Sequence, residues 1–169
     1  VDKPSLVVAP LGPHHDRTAF SCGEPALDGY LQRQASQDIR RRVAQVFVAI
    51  GDAPHKIDGY FSLSATSFEK AELPQELAKR LPHYPVPAAV LGRLAIDRAR
   101  QGCGLGEALL LDAMRRVVQA SATMAVYAMI VDAKNARAQT FYERYGFRAF
   151  TGMPGRLFLP LETFEKLGL

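Results

Sequence analysis

Cysteine is scarce: the 169-residue chain has two, Cys22 and Cys103. A disulfide framework or a cysteine zinc cluster needs several at close spacing, so both are excluded and a reducing compartment is expected. Histidine is nearly as sparse. Four are scattered along the chain, and the pair His14-His15 is followed by no ligand spacing, so no metal site is expected. No apolar run approaches the roughly 20 residues that cross a bilayer, and "VDKPSLVVAP" lacks the long apolar core of a secretion signal. The expectations are no membrane contact and a cytoplasmic location. Internal repeats, low-complexity tracts and linkers are also missing. Residues 1–169 are therefore expected to form one domain, long enough to bury a real core.

The chain has an ordinary 48% hydrophobic and 22% charged composition and a net charge of +4. Fifteen of its 21 basic residues are arginine, including the run Arg40-Arg41-Arg42. The planar arginine fork suits phosphate, although charge runs also occur on solvated helix faces. Leu6–Pro10 reads as a strand. Leu27, Tyr30, Leu31, Ala35 and Ile39 recur at helical spacing behind Pro25. Val43–Gly51 and Lys56–Thr66 read as a hairpin, and "LPQELAKRLPHYP" as a short helix between prolines. Ala88–Asp97 reads as a strand and Leu105–Ala120 as a helix apolar nearly all round. A second apolar strand lies in "AVYAMIVDA". A helix from Asn135 ends at Gly146, and two short strands and a final helical turn follow. This order predicts one α+β domain on a mixed sheet.

The informative segment is "RQGCGLGEALL", in which Gly102, Gly104 and Gly106 fall between a strand and a helix. Glycine weakens helices, so three together imply a sharp bend or an object closer than a side chain allows. The first turn of a helix presents unpaired N–H groups and positive potential, and phosphate can sit there when no Cβ blocks it. Two nucleotide motifs fail on residues. Glu107 stands where a dinucleotide fingerprint wants its third glycine, and "GLGEA" has neither the lysine nor the hydroxyl of a P-loop. A tight turn with close helix–sheet packing remains the plainer alternative.

Gln101-x-x-Gly104-x-Gly106 resembles the Q/R-x-x-G-x-G/A pattern of the GNAT acetyltransferases, which hold the pyrophosphate of acetyl-CoA there. "NARAQTFYERYGF" is similar to their second signature through Asn135, Ala138, Phe141, Tyr142, Gly146 and Phe147. The resemblance implies a GNAT fold with a central mixed, mostly antiparallel β-sheet flanked by α-helices. It implies a pantetheine arm held by the main chain of Leu94, Ala95 and Ile96. The pyrophosphate would lie on Gln101, Gly102, Cys103, Gly104, Leu105, Gly106 and Glu107, with Asn135 assisting. Tyr142 would protonate the departing thiolate, with Tyr145 as second choice. As an isolated dipeptide on an apolar stripe, Phe141-Tyr142 reads as packing rather than catalysis; the two motifs together reverse that.

Ala88–Ile96 contains no carboxylate to serve as a base, and Asp97 reads as a turn residue. A lysine amine, pKa about 10.4, needs a base; an aminoacyl ester is less basic than a peptide N-terminus near 7.7–8.0 and needs little help. Over nearly its whole length the chain resembles the GNAT toxins of bacterial type II toxin–antitoxin systems, most tellingly in "LPHYPVPAAVLGRLAID". That resemblance implies acetylation of the α-amine of aminoacyl-tRNA, which stops translation. It also implies a ribbon-helix-helix antitoxin, operator DNA met only through the antitoxin complex, and a homodimer. Arg33, Arg40, Arg41, Arg42 and Arg93 become candidates for tRNA phosphates. An acetyltransferase for a small amine or a protein N-terminus, and a CoA-binding scaffold without catalysis, are the alternatives.

Overall fold

A computed structural model of the chain describes residues 6–166 and 168. Its strands are β1 (Val7–Pro10), β2 (Gln45–Ile50), β3 (Ile57–Phe68), β4 (Val86–Ile96), β5 (Ala128–Asp132), β6 (Arg148–Phe150) and β7 (Met153–Pro160). They form one sheet in the order β1-β2-β3-β4-β5-β7-β6. The β1–β2, β2–β3, β5–β7 and β6–β7 pairings are antiparallel and β4–β5 is parallel, so the sheet is mixed and mostly antiparallel. The helices are α1 (Pro25–Gly29), α2 (Ala35–Arg40), α3 (Gln75–Ala78), α4 (Leu105–Ser121), α5 (Ala136–Glu143) and α6 (Leu161–Lys166). Among the described residues, no helix is long and apolar enough to cross a membrane.

The chain divides into two compact units. One comprises residues 1–64 and 92–113, the other 65–91 and 114–169. The first buries Phe20, Leu31, Val48, Ile57 and Tyr60 as its core. Gly59 of β3 lies so close to α4 that a Cβ there would meet Leu109 Cδ1 at 2.9 Å and Ile96 Cδ1 at 3.0 Å. The second unit buries Phe68, Val86, Ile130, Phe150 and Phe158, with the Phe68 and Phe150 rings edge-on at 5.3 Å.

Three elements differ from the sequence reading. The helix behind Pro25 is interrupted by a π turn at Tyr30–Gln34, where Ala35 N–H returns five residues to Tyr30 C=O. Leu31 and Ala35, at its two ends, are both fully buried. Helix α4 is not apolar all round. Leu105, Leu109, Leu110, Ala113, Met114 and Val117 form one buried face, while Glu107 and Arg115 are exposed. The helix between Pro74 and Pro82 shrinks to the four residues of α3, because proline fixes the chain on both sides.

Candidate active site

The glycine loop shows why its glycines are there. Gly102 and Gly104 have φ of +80° and +86°, a region where a Cβ is strained. A Cβ built at either would meet no atom within 4 Å. The residue type is set by backbone conformation, and the outer surface of the turn is sterically clear. At these two positions helix–sheet packing does not explain the glycine; the close β3–α4 packing lies at Gly59. Ala108 N–H donates to Gly104 C=O at 3.1 Å and closes the first turn of α4. The amides of Leu105, Gly106 and Glu107 precede that bond, and among the described residues they find no other acceptor. Free amides at 105–107 beside a sterically clear turn form the kind of surface on which an anion such as a pyrophosphate can sit.

Gln101 braces the turn from behind. Its Nε2 donates to Cys22 C=O at 2.8 Å and to Ile96 C=O at 2.9 Å, tying the loop to the end of β4. Cys103 is exposed, and its Sγ donates to Arg100 C=O at 2.6 Å. Glu107 is exposed, so only its amide suits an anion. Asp97 is a turn residue: its carboxylate accepts from Ala99 N–H at 3.0 Å and Ser21 N–H at 3.1 Å, which leaves it spent as a base. The ladder with β5 pairs Ala88–Leu91 with Ala128–Val131, and Gly92–Ile96 extends past its last pair.

In the second unit, Asn135 caps α5, its Oδ1 accepting from Ala138 N–H at 2.8 Å. Its amide nitrogen has no partner among the described residues. Tyr142 is 7% exposed and lies between Phe141 and Phe147, ring centroids 5.2 and 5.6 Å away. Burial, and then the nearby charge of Asp132, push its phenol up to about 12. Two other tyrosines are as buried, Tyr30 and Tyr60, and both hydroxyls are satisfied. Tyr60 donates to Leu27 C=O at 2.7 Å and Tyr30 to Asp38 Oδ2 at 2.9 Å. The Tyr142 hydroxyl has no such partner among the described residues, and it is not among their fully enclosed polar atoms. A buried phenol normally finds one.

The arginines separate into three groups. Arg33 and Arg93 line one pocket of about 380 Å³ together with Tyr30 and Gln34. Arg40 lines a different one, about 260 Å³, with Arg17 and Ser36, which are hydrogen-bonded to each other. Arg41 and Arg42 are exposed and line neither. Arg42, at φ 61°, ends α2 in the left-handed conformation usual for a helix terminator. Sequence reasoning missed Tyr30, Gln34 and Asp38 as a unit. Their spacing of four along a helix was the available signal.

Strand order, glycine cradle and capped α5 together define an α+β acetyltransferase domain. The Acetyltransferase (GNAT) domain family model matches residues 42–149, and the chain belongs to this family. Within it the chain is similar to a tRNA-acetylating toxin of Mycobacterium tuberculosis (strain ATCC 25618 / H37Rv), 37% identical over 152 residues covering 90% of each protein. Among solved structures it is similar to AtaT complexed with acetyl-methionyl-tRNAfMet, at 32% identity and TM-score 0.91 over 98% of this chain and all of that one. It is also similar to a tyrosine-to-phenylalanine mutant of the AtaT toxin bound to the C-terminus of the antitoxin AtaR and acetyl-CoA. That match has 30% identity and TM-score 0.82 over 96% of this chain and 98% of that one.

Proposed function

We propose that this protein transfers acetyl from acetyl-CoA to the α-amine of aminoacyl-tRNA, so that the tRNA no longer serves peptide-bond formation, and that a cognate antitoxin neutralises it. The observation that carries the chemistry is the unpartnered, buried Tyr142 hydroxyl. The choice of acceptor rests on the relatives that act on or bind tRNA, and the antitoxin on the relative solved with one.

Acetyl-CoA, when bound, supplies an acyl group on a thioester. The main-chain amides of Gly102–Glu107 hold its pyrophosphate, with Gln101 fixing their direction, and the main chain of Leu94–Ile96 holds the pantetheine arm. The amine attacks the carbonyl carbon, and the C–S bond breaks with its electron pair on sulfur. Tyr142 gives its phenolic proton to that sulfur. Held near pKa 12, the phenol remains protonated through neutral pH. Burial weakens the phenol as an acid and strengthens a thiolate beside it as a base, so the two shifts offset, and the phenolate regains its proton from water after the product leaves. The attacking amine loses its own proton to water, because an aminoacyl ester amine is largely neutral near pH 8.

The test is incubation with labelled acetyl-CoA and charged or uncharged tRNAs. Label is expected on charged tRNA alone, in a form that survives ester hydrolysis as N-acetyl amino acid. Failure to label any charged tRNA, by protein that binds acetyl-CoA, overturns the proposal.

A further inference from the structure

Gly92 has no backbone reason to be glycine. Its φ lies outside the left-handed region that accounts for Gly102 and Gly104. A Cβ built there would meet one atom within 4 Å, the Ser62 Oγ at 3.1 Å. Ser62 stands on β3, the neighbour of β4 in the sheet, and is 2% exposed. Its hydroxyl finds no partner among the described residues, yet it is not one of their fully enclosed polar atoms. A serine this buried ordinarily bonds to something. Ser121, less buried, donates to Val118 C=O. The bare Ser62 hydroxyl therefore opens onto the space that any other residue at position 92 would fill.

That space has a defined place on the chain. The ladder between β4 and β5 ends at Leu91 and Val131, so Gly92 is the first residue of β4 beyond it. Leu94–Ile96, the main chain assigned above to the acyl donor, begins two positions on. The chemistry open to the hydroxyl is narrow. No histidine or carboxylate is bonded to it among the described residues, so it is not an activated nucleophile. The donor's carbonyl needs N–H groups, which the main chain beside it supplies. The attacking amine needs an acceptor, and a hydroxyl oxygen has lone pairs for that. Being neutral, it does not hold an ammonium ion as a carboxylate would. It suits an amine of low pKa that arrives without its extra proton.

We propose that Ser62 holds the attacking amine, its Oγ accepting a hydrogen bond from the amine N–H in the space beside Gly92. The inference rests on the reading of Leu94–Ile96 as the seat of the acyl donor. As the nitrogen attacks it becomes positive and its N–H a stronger donor, so the bond to Ser62 tightens in the transition state and speeds transfer. Ser62 keeps its own proton throughout. The amine's proton leaves to water, and the sulfur takes that of Tyr142.

Single-turnover acetylation of charged tRNA and of a small aminoacyl ester, at saturating acetyl-CoA, tests this on the full chain. Ser62→Ala loses no hydroxyl partner among the described residues, so its urea midpoint and acetyl-CoA affinity are expected to match wild type. Its transfer to both acceptors is expected to fall about 10–100-fold, the worth of a hydrogen bond to a charged group. Ser62→Thr, which keeps the hydroxyl, is expected to restore most of the rate. Gly92→Ala puts a methyl 3.1 Å from Oγ and is expected to slow transfer as Ser62→Ala does. Acetyl-CoA hydrolysis without an acceptor reports on the donor alone and is expected to be unchanged in Ser62→Ala. An equal fall in that hydrolysis overturns the inference. So does a full transfer rate in Ser62→Ala, which would leave the proposed reaction intact. If the small ester is labelled in a Ser62-dependent way and no charged tRNA is, Ser62 keeps its role and the tRNA reading falls.

Discussion

Tyr60 and Tyr142 are both buried phenols, and the difference between them is one hydrogen bond. Tyr60 donates to Leu27 C=O, so Tyr60→Phe leaves a carbonyl short of a donor and is expected to lower stability by about 1 kcal/mol. Tyr142 has no hydroxyl partner to lose among the described residues. Tyr142→Phe is expected to leave the urea midpoint within about 0.5 kcal/mol of wild type and acetyl-CoA affinity unchanged. Its single-turnover rate of acetyl transfer should fall 10²–10⁴-fold, the ordinary worth of a general acid. A fall in stability without a fall in rate would return Tyr142 to packing. High pH gives Tyr142 a second test. Its folded phenol lies near 12 against an ordinary value of 10.0, so between those pH values the folded state holds a proton that the unfolded state has lost. Stability from this group is complete below pH 10 and declines as pH rises toward 12, by about 2–3 kcal/mol in total. Urea melts at pH 9 and pH 11 are expected to show a smaller alkaline loss in Tyr142→Phe than in wild type. Sequence alone gave this tyrosine two readings, because a stripe of aromatics fits packing and the two motifs fit catalysis. The hydroxyl's lack of a partner among the described residues favours catalysis, and the rate of Tyr142→Phe decides between them.

Among the elements, the glycine turn was the most legible and the helix before β2 the least. Strand, glycines and helix follow one another without a gap, and glycine's special conformations leave a mark in composition that no other residue imitates. Gly104→Ala is accordingly expected to cost about 1–2 kcal/mol of stability from the left-handed backbone alone, since the new Cβ meets no neighbour. That methyl would stand on the surface assigned to the pyrophosphate. Acetyl-CoA affinity by calorimetry, at a temperature where the variant is fully folded, is therefore expected to drop at least about tenfold. Loss of stability with full affinity would mean that the turn is only a turn. The π turn, by contrast, has no compositional mark. Leu31 and Ala35, four positions apart, would share a face in an unbroken α-helix as well, so their spacing does not announce it. The exposed side of α4 was misread for a related reason: Leu111, Val118 and Ala120 are apolar yet are not buried, and hydrophobic residues outside a core are common.

For the whole molecule, the mixed sheet flanked by helices was legible from alternating strands and helices together with the two signatures, whereas the grouping of the arginines was not. Arg33 and Arg93 are 60 positions apart and share a pocket, while Arg41 and Arg42 are adjacent to Arg40 and share none. Charge counting treats all five alike. The net charge of +4 is modest, so attraction to RNA should come from a few placed guanidiniums rather than a diffuse field. Binding of single-stranded nucleic acid releases roughly 0.7 counterion per phosphate neutralised. If Arg33, Arg93, Arg17 and Arg40 each meet one phosphate, the slope of log KM for charged tRNA against log salt is expected near 3. Raising salt from 50 to 200 mM would then raise KM about 60-fold. A small aminoacyl ester assayed under the same conditions carries no phosphate and should show almost no slope once acetyl-CoA is saturating. The comparison separates acceptor binding from donor binding, since both reactions use the same donor. A slope near zero for charged tRNA would mean that the arginines face solvent and that the acceptor is a small amine.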